Sequence, residues 1–271
     1  MKLSISNLSW GEEPIETIAP KLSRIGMHGI EIAPSAVWGD IESVSTHAAV
    51  KFTDSIEMNG LEISGLQSLL YGHPEFQLFN ESCWPAMQEH LRKTFSLGGK
   101  LGANVAVFGS PKNRIRNTLN VSTANQMAVD FFSQLIPTLQ ENNIVLTLEP
   151  NASKYGADYL VNYREVIELV GIINSPWIGP QIDTGCALLE NDPLLDIYEL
   201  QIPRHIHLSA PDLLPLPSSF DLRPFLEVLN ETNYQEWLVI EILGKSSEAS
   251  REALRSAEWL VKLVGGVQDY K

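Results

Sequence analysis

Eight short apolar runs, rich in β-branched residues, recur along the chain. They are KLSISNL (2–8), GIEIA (29–33), LEISGL (61–66), NVAVFG (104–109), NIVLTLE (143–149), IGPQID (178–183), RHIHL (204–208) and WLVIEIL (237–243). Each is five to seven residues long, the length and composition of strands buried on both faces. Longer stretches with apolar residues at helical spacing lie between and after them. These fall at 15–25 (interrupted by Pro20), 41–58, 85–97, 123–141, 162–170, 192–199, 219–229 and 247–264. Ser246-Ser247-Glu248 and Asp192-Pro193 have the makings of helix starts, a capping residue followed by an acid or a proline. Strand and helix thus alternate eight times, which builds a parallel sheet through right-handed crossovers. Eight such units favour a closed (β/α)8 TIM barrel, α/β in class, over an open sheet. A dinucleotide-binding open sheet needs a glycine-rich turn after its first strand, and Asn7-Leu8-Ser9-Trp10-Gly11 supplies none. No linker-like composition divides the chain, so residues 1–271 are expected to form one domain.

Composition narrows the partners. The chain has 271 residues, 44% of them hydrophobic, enough to bury a core. Its net charge of −14 opposes binding to nucleic acid or to an anionic membrane surface. The N-terminal residues lack an apolar secretory core, and no apolar run approaches the roughly 20 residues needed to cross a bilayer. Two cysteines, Cys83 and Cys186, make neither a disulfide framework nor a C-x-x-C metal motif. The expectation is a soluble, cytoplasmic protein.

Barrels of this kind carry their chemistry at the carboxyl ends of the strands. Four polar residues in the second half fall there: Glu149, Asp183, His207 and Glu241. Any one carboxylate in an apolar strand is ordinarily a salt-bridge partner. Three facing one another in a single barrel mouth repel, and burying each costs several kcal/mol without compensation. A divalent cation removes the conflict. Three carboxylates and one imidazole suit Mn²⁺, Mg²⁺ or Co²⁺, with Zn²⁺ also compatible. His205, two residues before His207 and on the same strand face, is either a further ligand or a group that orients its neighbour.

These residues, in the segments LTLEPNASKYGADYL (146–160), IGPQIDTGCA (178–187), HIHLS (205–209) and LVIEI (238–242), give the chain a resemblance to the xylose-isomerase-like barrel superfamily, especially its sugar (or sugar-phosphate) isomerase and epimerase branch. The resemblance extends to 29–40, 60–72 and 105–114. It implies that the metal ligands are Glu149, Asp183, His207 and Glu241, and that Glu149 and Glu241 are the two catalytic carboxylates. It also implies an enzyme of carbohydrate metabolism, in a family often dimeric or tetrameric. Two positions depart from the pattern. Cys186 stands where the family often has a substrate-binding histidine, and Leu213 where ketose epimerases often have an arginine.

The implied chemistry is proton abstraction next to a carbonyl through a metal-stabilised enediolate. Return of the proton to the neighbouring carbon is isomerisation; return to the other face is epimerisation. The first half of the chain is expected to line the substrate. Trp10 either walls the pocket or anchors a loop. Glu31 meets a hydroxyl or joins a buried salt bridge. Gln67, just past the third strand, is a hydroxyl contact. Arg114 or Lys112 binds a substrate phosphate or carboxylate, or is a solvated loop charge. Asn151 positions a ligand or a hydroxyl, and Lys245 is a weaker candidate of the same kind. His73 follows the third strand and reaches toward the mouth. A metal-dependent dehydratase of a keto-polyol shares the first step, and a non-catalytic sugar-binding barrel is an alternative of another class. Abasic-site endonucleases use the same barrel, but the net charge and the lack of early-strand histidines oppose that reading.

Overall fold

The computed structural model describes residues 1–198, 201–217 and 221–268. Its eight strands are β1 (Lys2–Ser6), β2 (Gly29–Ile32), β3 (Glu62–Leu66), β4 (Val105–Phe108), β5 (Val145–Leu148), β6 (Ile178–Asp183), β7 (His205–Leu208) and β8 (Trp237–Ile240). Each pairs in parallel with the next, and β8 returns to β1 through Lys2↔Trp237 to Ile5↔Ile240, which closes the barrel. All eight strands fall inside the expected apolar runs. The runs overshoot at their ends because a buried segment stays apolar after its ladder stops.

The helices are α1 (Ile15–Ile25), α2 (Pro34–Trp38), α3 (Thr46–Glu57), α4 (Trp84–Leu101), α5 (Val121–Ser133), α6 (Ile136–Glu141), α7 (Tyr163–Ile173), α8 (Thr184–Glu190), α9 (Arg223–Glu231) and α10 (Ala249–Gln268). Several expected helices are cut by local chemistry. The 41–58 stretch becomes a 3-10 turn, Ile41–Ser43, followed by α3, because the Ser45 hydroxyl caps a fresh helix by accepting from the Ala48 N–H. The 123–141 stretch splits before Pro137, which has no N–H to continue α5 and instead occupies the first turn of α6. The expected 192–199 helix is a 3-10 turn at Leu194–Tyr198; Glu199 lies outside the described residues. The helix of that crossover is α8, nucleated directly by Asp183, whose Oδ1 accepts from the Cys186 N–H at 2.6 Å. α2 was not anticipated, being too short to show a period. Ser219 of the expected 219–229 helix also lies outside the described residues, and α9 starts at Arg223.

Strand parity sorts the side chains. Ile5, Ile30, Phe108, Leu146, Leu148, Ile206, Leu208, Leu238 and Ile240 belong to the apolar core. The alternate parity supplies buried polar groups: Ser4, Ser6, Glu31, Ser64, Thr147, Gln181, Asp183, His205 and His207. These meet one another across the strands. Ser4 Oγ lies 2.6 Å from Ser64 Oγ, and the Thr147 hydroxyl donates to Gln181 Oε1 at 2.6 Å. A barrel filled by hydrogen-bonded polar side chains avoids the cost of orphaned groups and gives the site above it a rigid floor.

Candidate metal centre

Asp183 is the last residue of β6 and pairs in register with His207 on β7. Glu149 and Glu241 are each the first residue past a strand, β5 and β8. Their backbone N–H groups still donate to the neighbouring strand, Glu149 to Phe108 O (3.1 Å) and Glu241 to Leu208 O (3.0 Å). The ladder therefore fixes where both side chains leave the rim.

One donor atom from each of Glu149, Asp183, His207 and Glu241 lies within 4.8 Å of the others. His207 Nδ1 stands 2.7 Å from Glu149 Oε1 and 3.2 Å from Glu241 Oε2. It is buried, yet makes no aligned hydrogen bond. An orphaned imidazole nitrogen at the centre of three carboxylates is the donor set a divalent cation fits. The four line a cavity of about 490 Å³ together with Gln67, Ser68, Gly109, Asn151, Tyr155, Cys186, Asp212 and Lys245.

The groups behind the donors hold them in place. Gln181 Nε2 donates to Glu149 Oε1 (2.9 Å) and Asn151 Nδ2 to Glu149 Oε2 (3.1 Å). The Ser209 hydroxyl donates to Asp183 Oδ2 (2.7 Å). Glu31 bridges two imidazoles, with Oε1 at 2.7 Å from His205 Nε2 and Oε2 at 2.9 Å from His207 Nε2. Because a carboxylate accepts, His207 donates through Nε2, so Nδ1 is the nitrogen that faces Glu149, Asp183 and Glu241 and would be left to coordinate a cation. Glu31, His205 and His207 also lie close enough to share an ion. Hydrogen bonding already accounts for both Glu31 oxygens, so we read this group as support for the four-ligand centre.

The electrostatics describe a site short of positive charge. Burial pushes the Glu241 carboxyl up to about 7, in spite of His207 beside it. Burial and the nearby Glu149 charge raise Asp183 as well. Burial works against the His207 cation, but Glu31, Glu241 and Glu149 together raise its pKa well above the ordinary value. Burial likewise opposes the Glu31 anion, and the two imidazoles still bring its pKa down to about 2. Protons thus accumulate where a cation would otherwise sit.

The expected lining residues divide. Gln67 reaches the cavity, but its amide is committed. In the orientation that satisfies its neighbours, Nε2 donates to Glu241 Oε1 (2.9 Å) and Glu31 Oε2 (3.2 Å), while Oε1 accepts from Ser6 Oγ. Glu31 takes the buried-pair role, fully enclosed away from the mouth. Trp10 is 4% exposed and lines a separate cavity beside α1, so it anchors a loop and does not wall the metal site. Arg114 needs correction on both of its readings, phosphate binder and solvated charge. It is completely buried and turned inward, and Nη2 donates to Glu149 O (2.6 Å) and Asn151 Oδ1 (2.9 Å). Its work is to brace the β5 rim from behind, and burial lowers its pKa to about 10. Cys186 does line the cavity; its Sγ accepts from the Ala152 N–H at 3.4 Å, and burial raises the thiol pKa, so it stays neutral. His73 lies in an adjoining cavity and not in the metal site.

Sequence reasoning missed Gln181, Ser209, Tyr155 and Asp212. The first two stand two residues from Asp183 and His207 on the same strand face, so the two-residue period carried a signal for them. Tyr155 and Asp212 come from separate loops, where the Tyr155 hydroxyl accepts from the Asp212 N–H and Lys154 bridges to Asp212 at 2.6 Å.

Solved structures share this architecture. A D-psicose 3-epimerase superposes with a TM-score of 0.80 over 98% of this chain and 100% of its own, at 15% identity. A 3-keto-D-glucoside 4-epimerase from E. coli gives 0.78 over 97% and 99%, at 16% identity. A protein titled AP endonuclease, family 2, from Brucella melitensis gives 0.77 over 97% and 99%, at 15% identity. At these identities the likeness is one of fold. Among curated proteins, none matches the chain. The family model for the xylose isomerase-like TIM barrel matches residues 20–263, and with the closed eight-stranded ring already described, the chain belongs to that family.

Proposed function

We propose that the protein is a divalent-metal-dependent sugar isomerase or epimerase that moves a proton on a carbon next to a carbonyl. The observation that carries this is the convergence of Glu149, Asp183, His207 and Glu241 to within 4.8 Å in an open cavity. A divalent cation bound there supplies the positive charge that makes the adjacent C–H acidic. Glu149 and Glu241 come from strands three places apart in the ring, so they approach a bound carbon from different sides. One takes the proton as a carboxylate and the other, protonated, gives one back. Gln67 holds Glu241 from below, its amide donating to Oε1 (2.9 Å). Glu149 is held for its part by Gln181 and Asn151.

The charges around the cavity favour an uncharged sugar over a sugar phosphate. Lys245 is the one lysine or arginine among the described lining residues, against Glu149, Asp183, Glu241 and Asp212. Arg114 is sealed behind the rim. Solvent deuterium exchange into ketohexoses, followed by product analysis, tests the reading. The Mn²⁺-loaded protein should label the carbon beside the carbonyl. Glu241→Gln should fold, lose metal affinity and stop exchange; an active Glu241→Gln protein would end the two-carboxylate mechanism. A product that has lost a hydroxyl would mark a dehydratase, and binding without exchange a sugar-binding barrel.

A further inference from the structure

A second cavity, of about 420 Å³, opens beside the metal site, and Ser68 lines both. Each cavity alone falls in the range, on the order of 300–1,000 Å³, that takes a small ligand. Together they exceed the needs of one monosaccharide. Ser68, the residue common to both linings, adopts a left-handed backbone (φ 56°) just past β3.

The chemistry of the second cavity is specific. Tyr71 stands on its rim with 76% of its surface exposed, a large aromatic face left in water. Its backbone N–H donates to Ser68 O (3.0 Å), which ties it to the residue shared by the two cavities. The His73 ring lies flat on Phe76, with centroids 4.8 Å apart and planes 10° apart, and its Nδ1 is held at 2.8 Å from Glu75. The ring is therefore set in place before any ligand arrives. Ser35, Asp40, Glu42, His90 and Thr94 add to the polar lining. Asp40 Oδ1 accepts from the Glu42 N–H, and Oδ2 has no protein partner among the described residues. Among the described residues no lysine or arginine lines this cavity. An anionic ligand meets the carboxylates of Asp40 and Glu42, whereas sugar hydroxyls find carboxylate acceptors, hydroxyls and imidazoles, and a sugar ring finds an aromatic face.

We propose that the substrate is a glycosylated sugar. Its carbonyl-bearing unit lies over the Glu149, Asp183, His207 and Glu241 centre, and a second, uncharged sugar unit fills the neighbouring cavity against Tyr71. The inference rests on the isomerase or epimerase reading of the first cavity and adds a subsite to it. Binding energy collected at the second unit is available to hold the first in its reactive position.

Calorimetric titration of the Mn²⁺-loaded protein tests this. The probes are D-fructose and the four reducing glucosyl-fructoses turanose, maltulose, leucrose and isomaltulose, which present the second ring at different angles. At least one disaccharide should bind about tenfold or more tightly than D-fructose. Tyr71→Ala should abolish that gain and leave D-fructose affinity unchanged, while Tyr71→Phe, which keeps the ring, should retain it. Tyr71 is exposed, so neither change threatens the fold. Four disaccharides that bind no better than D-fructose overturn the proposal, as does a Tyr71→Ala protein that weakens both kinds of probe alike. Deuterium exchange into D-fructose, D-psicose, D-tagatose and D-sorbose, run in parallel, separates the two levels. Exchange without a disaccharide gain removes only the subsite; neither exchange nor binding removes the isomerase reading, and the subsite with it.

Discussion

Replacing Glu31 with glutamine changes one atom in the barrel interior and should disable the metal centre above it. The carboxylate accepts from two imidazole N–H groups, His205 Nε2 at 2.7 Å and His207 Nε2 at 2.9 Å. An amide of the same shape has one acceptor and one donor. One imidazole must then turn a lone pair toward the amide and move its proton to Nδ1. If His205 does so, the proton arrives on a buried nitrogen that has no partner among the described residues, at a cost of about 1–3 kcal/mol. If His207 does so, its N–H points at Glu149 and Glu241, and the metal ligand is lost. Either choice takes a hydrogen-bond acceptor away from the imidazole that orients the metal site, so metal binding must meet the cost of the less favourable arrangement. The expected penalty in Mn²⁺ or Co²⁺ affinity is about 10- to 100-fold, in line with other groups that orient a metal-binding histidine. The same substitution should alter acid stability. The Glu31 pKa of about 2 lies below an unfolded value of about 4.3. Its stabilisation is therefore fully present above about pH 4.3 and is lost as pH falls through about 2. The gap is worth on the order of 3 kcal/mol for this fully enclosed group. Competition titration against a chelator reads the affinity, and nitrogen NMR shifts of His207 read the tautomer. A Glu31→Gln protein with unchanged affinity and its His207 proton still on Nε2 would refute the argument.

Three other outcomes are expected. Metal binding needs an ionised Glu241, whose carboxyl titrates near about 7; affinity should fall as pH drops below that value, about tenfold per pH unit for each proton displaced. Calorimetry in buffers of different ionisation heat should show proton release, and a flat affinity between about pH 5.5 and 8 would contradict the electrostatics. Gly109→Ala places a methyl group against Glu149 Oε2. Displacing that carboxylate should cut turnover about 100-fold while the melting temperature hardly moves, which kinetics and thermal melts together would show. Mn²⁺ at about 100 times its Kd should stabilise the fold by about 2.7 kcal/mol, an increase in Tm of roughly 5–10 °C for a chain of this size. A scan with and without chelator that shows no difference would count against a built metal site.

The strands and the four candidate ligands were legible because each rests on a local regularity. Buried parallel strands need uninterrupted apolar runs, and a carboxylate or imidazole at the end of such a run stands out against it. Glu149, Asp183, His207 and Glu241 were found that way, and the three-dimensional structure brings them to one point. Arg114 shows where the method stops. A basic residue in a polar loop after a strand reads as surface charge. Only the packed loop reveals that it turns inward to the carbonyl of Glu149 and to Asn151. Trp10 stayed open between wall and loop anchor for a similar reason, because an aromatic after the first strand has the same local pattern whether it faces a ligand or the neighbouring helix.

By itself the sequence determined the strand and helix alternation, the closed barrel and the four residues of the candidate metal centre. These follow from residue type and period, which act over a few positions. Tertiary structure alone decided which polar groups support which ligand. Glu31 reaches His205 and His207 across some 174 and 176 residues of chain. Gln67 lies against Glu241, and Ser68 lines two cavities that otherwise draw on different loops. Hydrogen bonds and cavities depend on distances of a few ångströms between segments remote in the chain. Closing the ring sets those distances, and no local pattern encodes them.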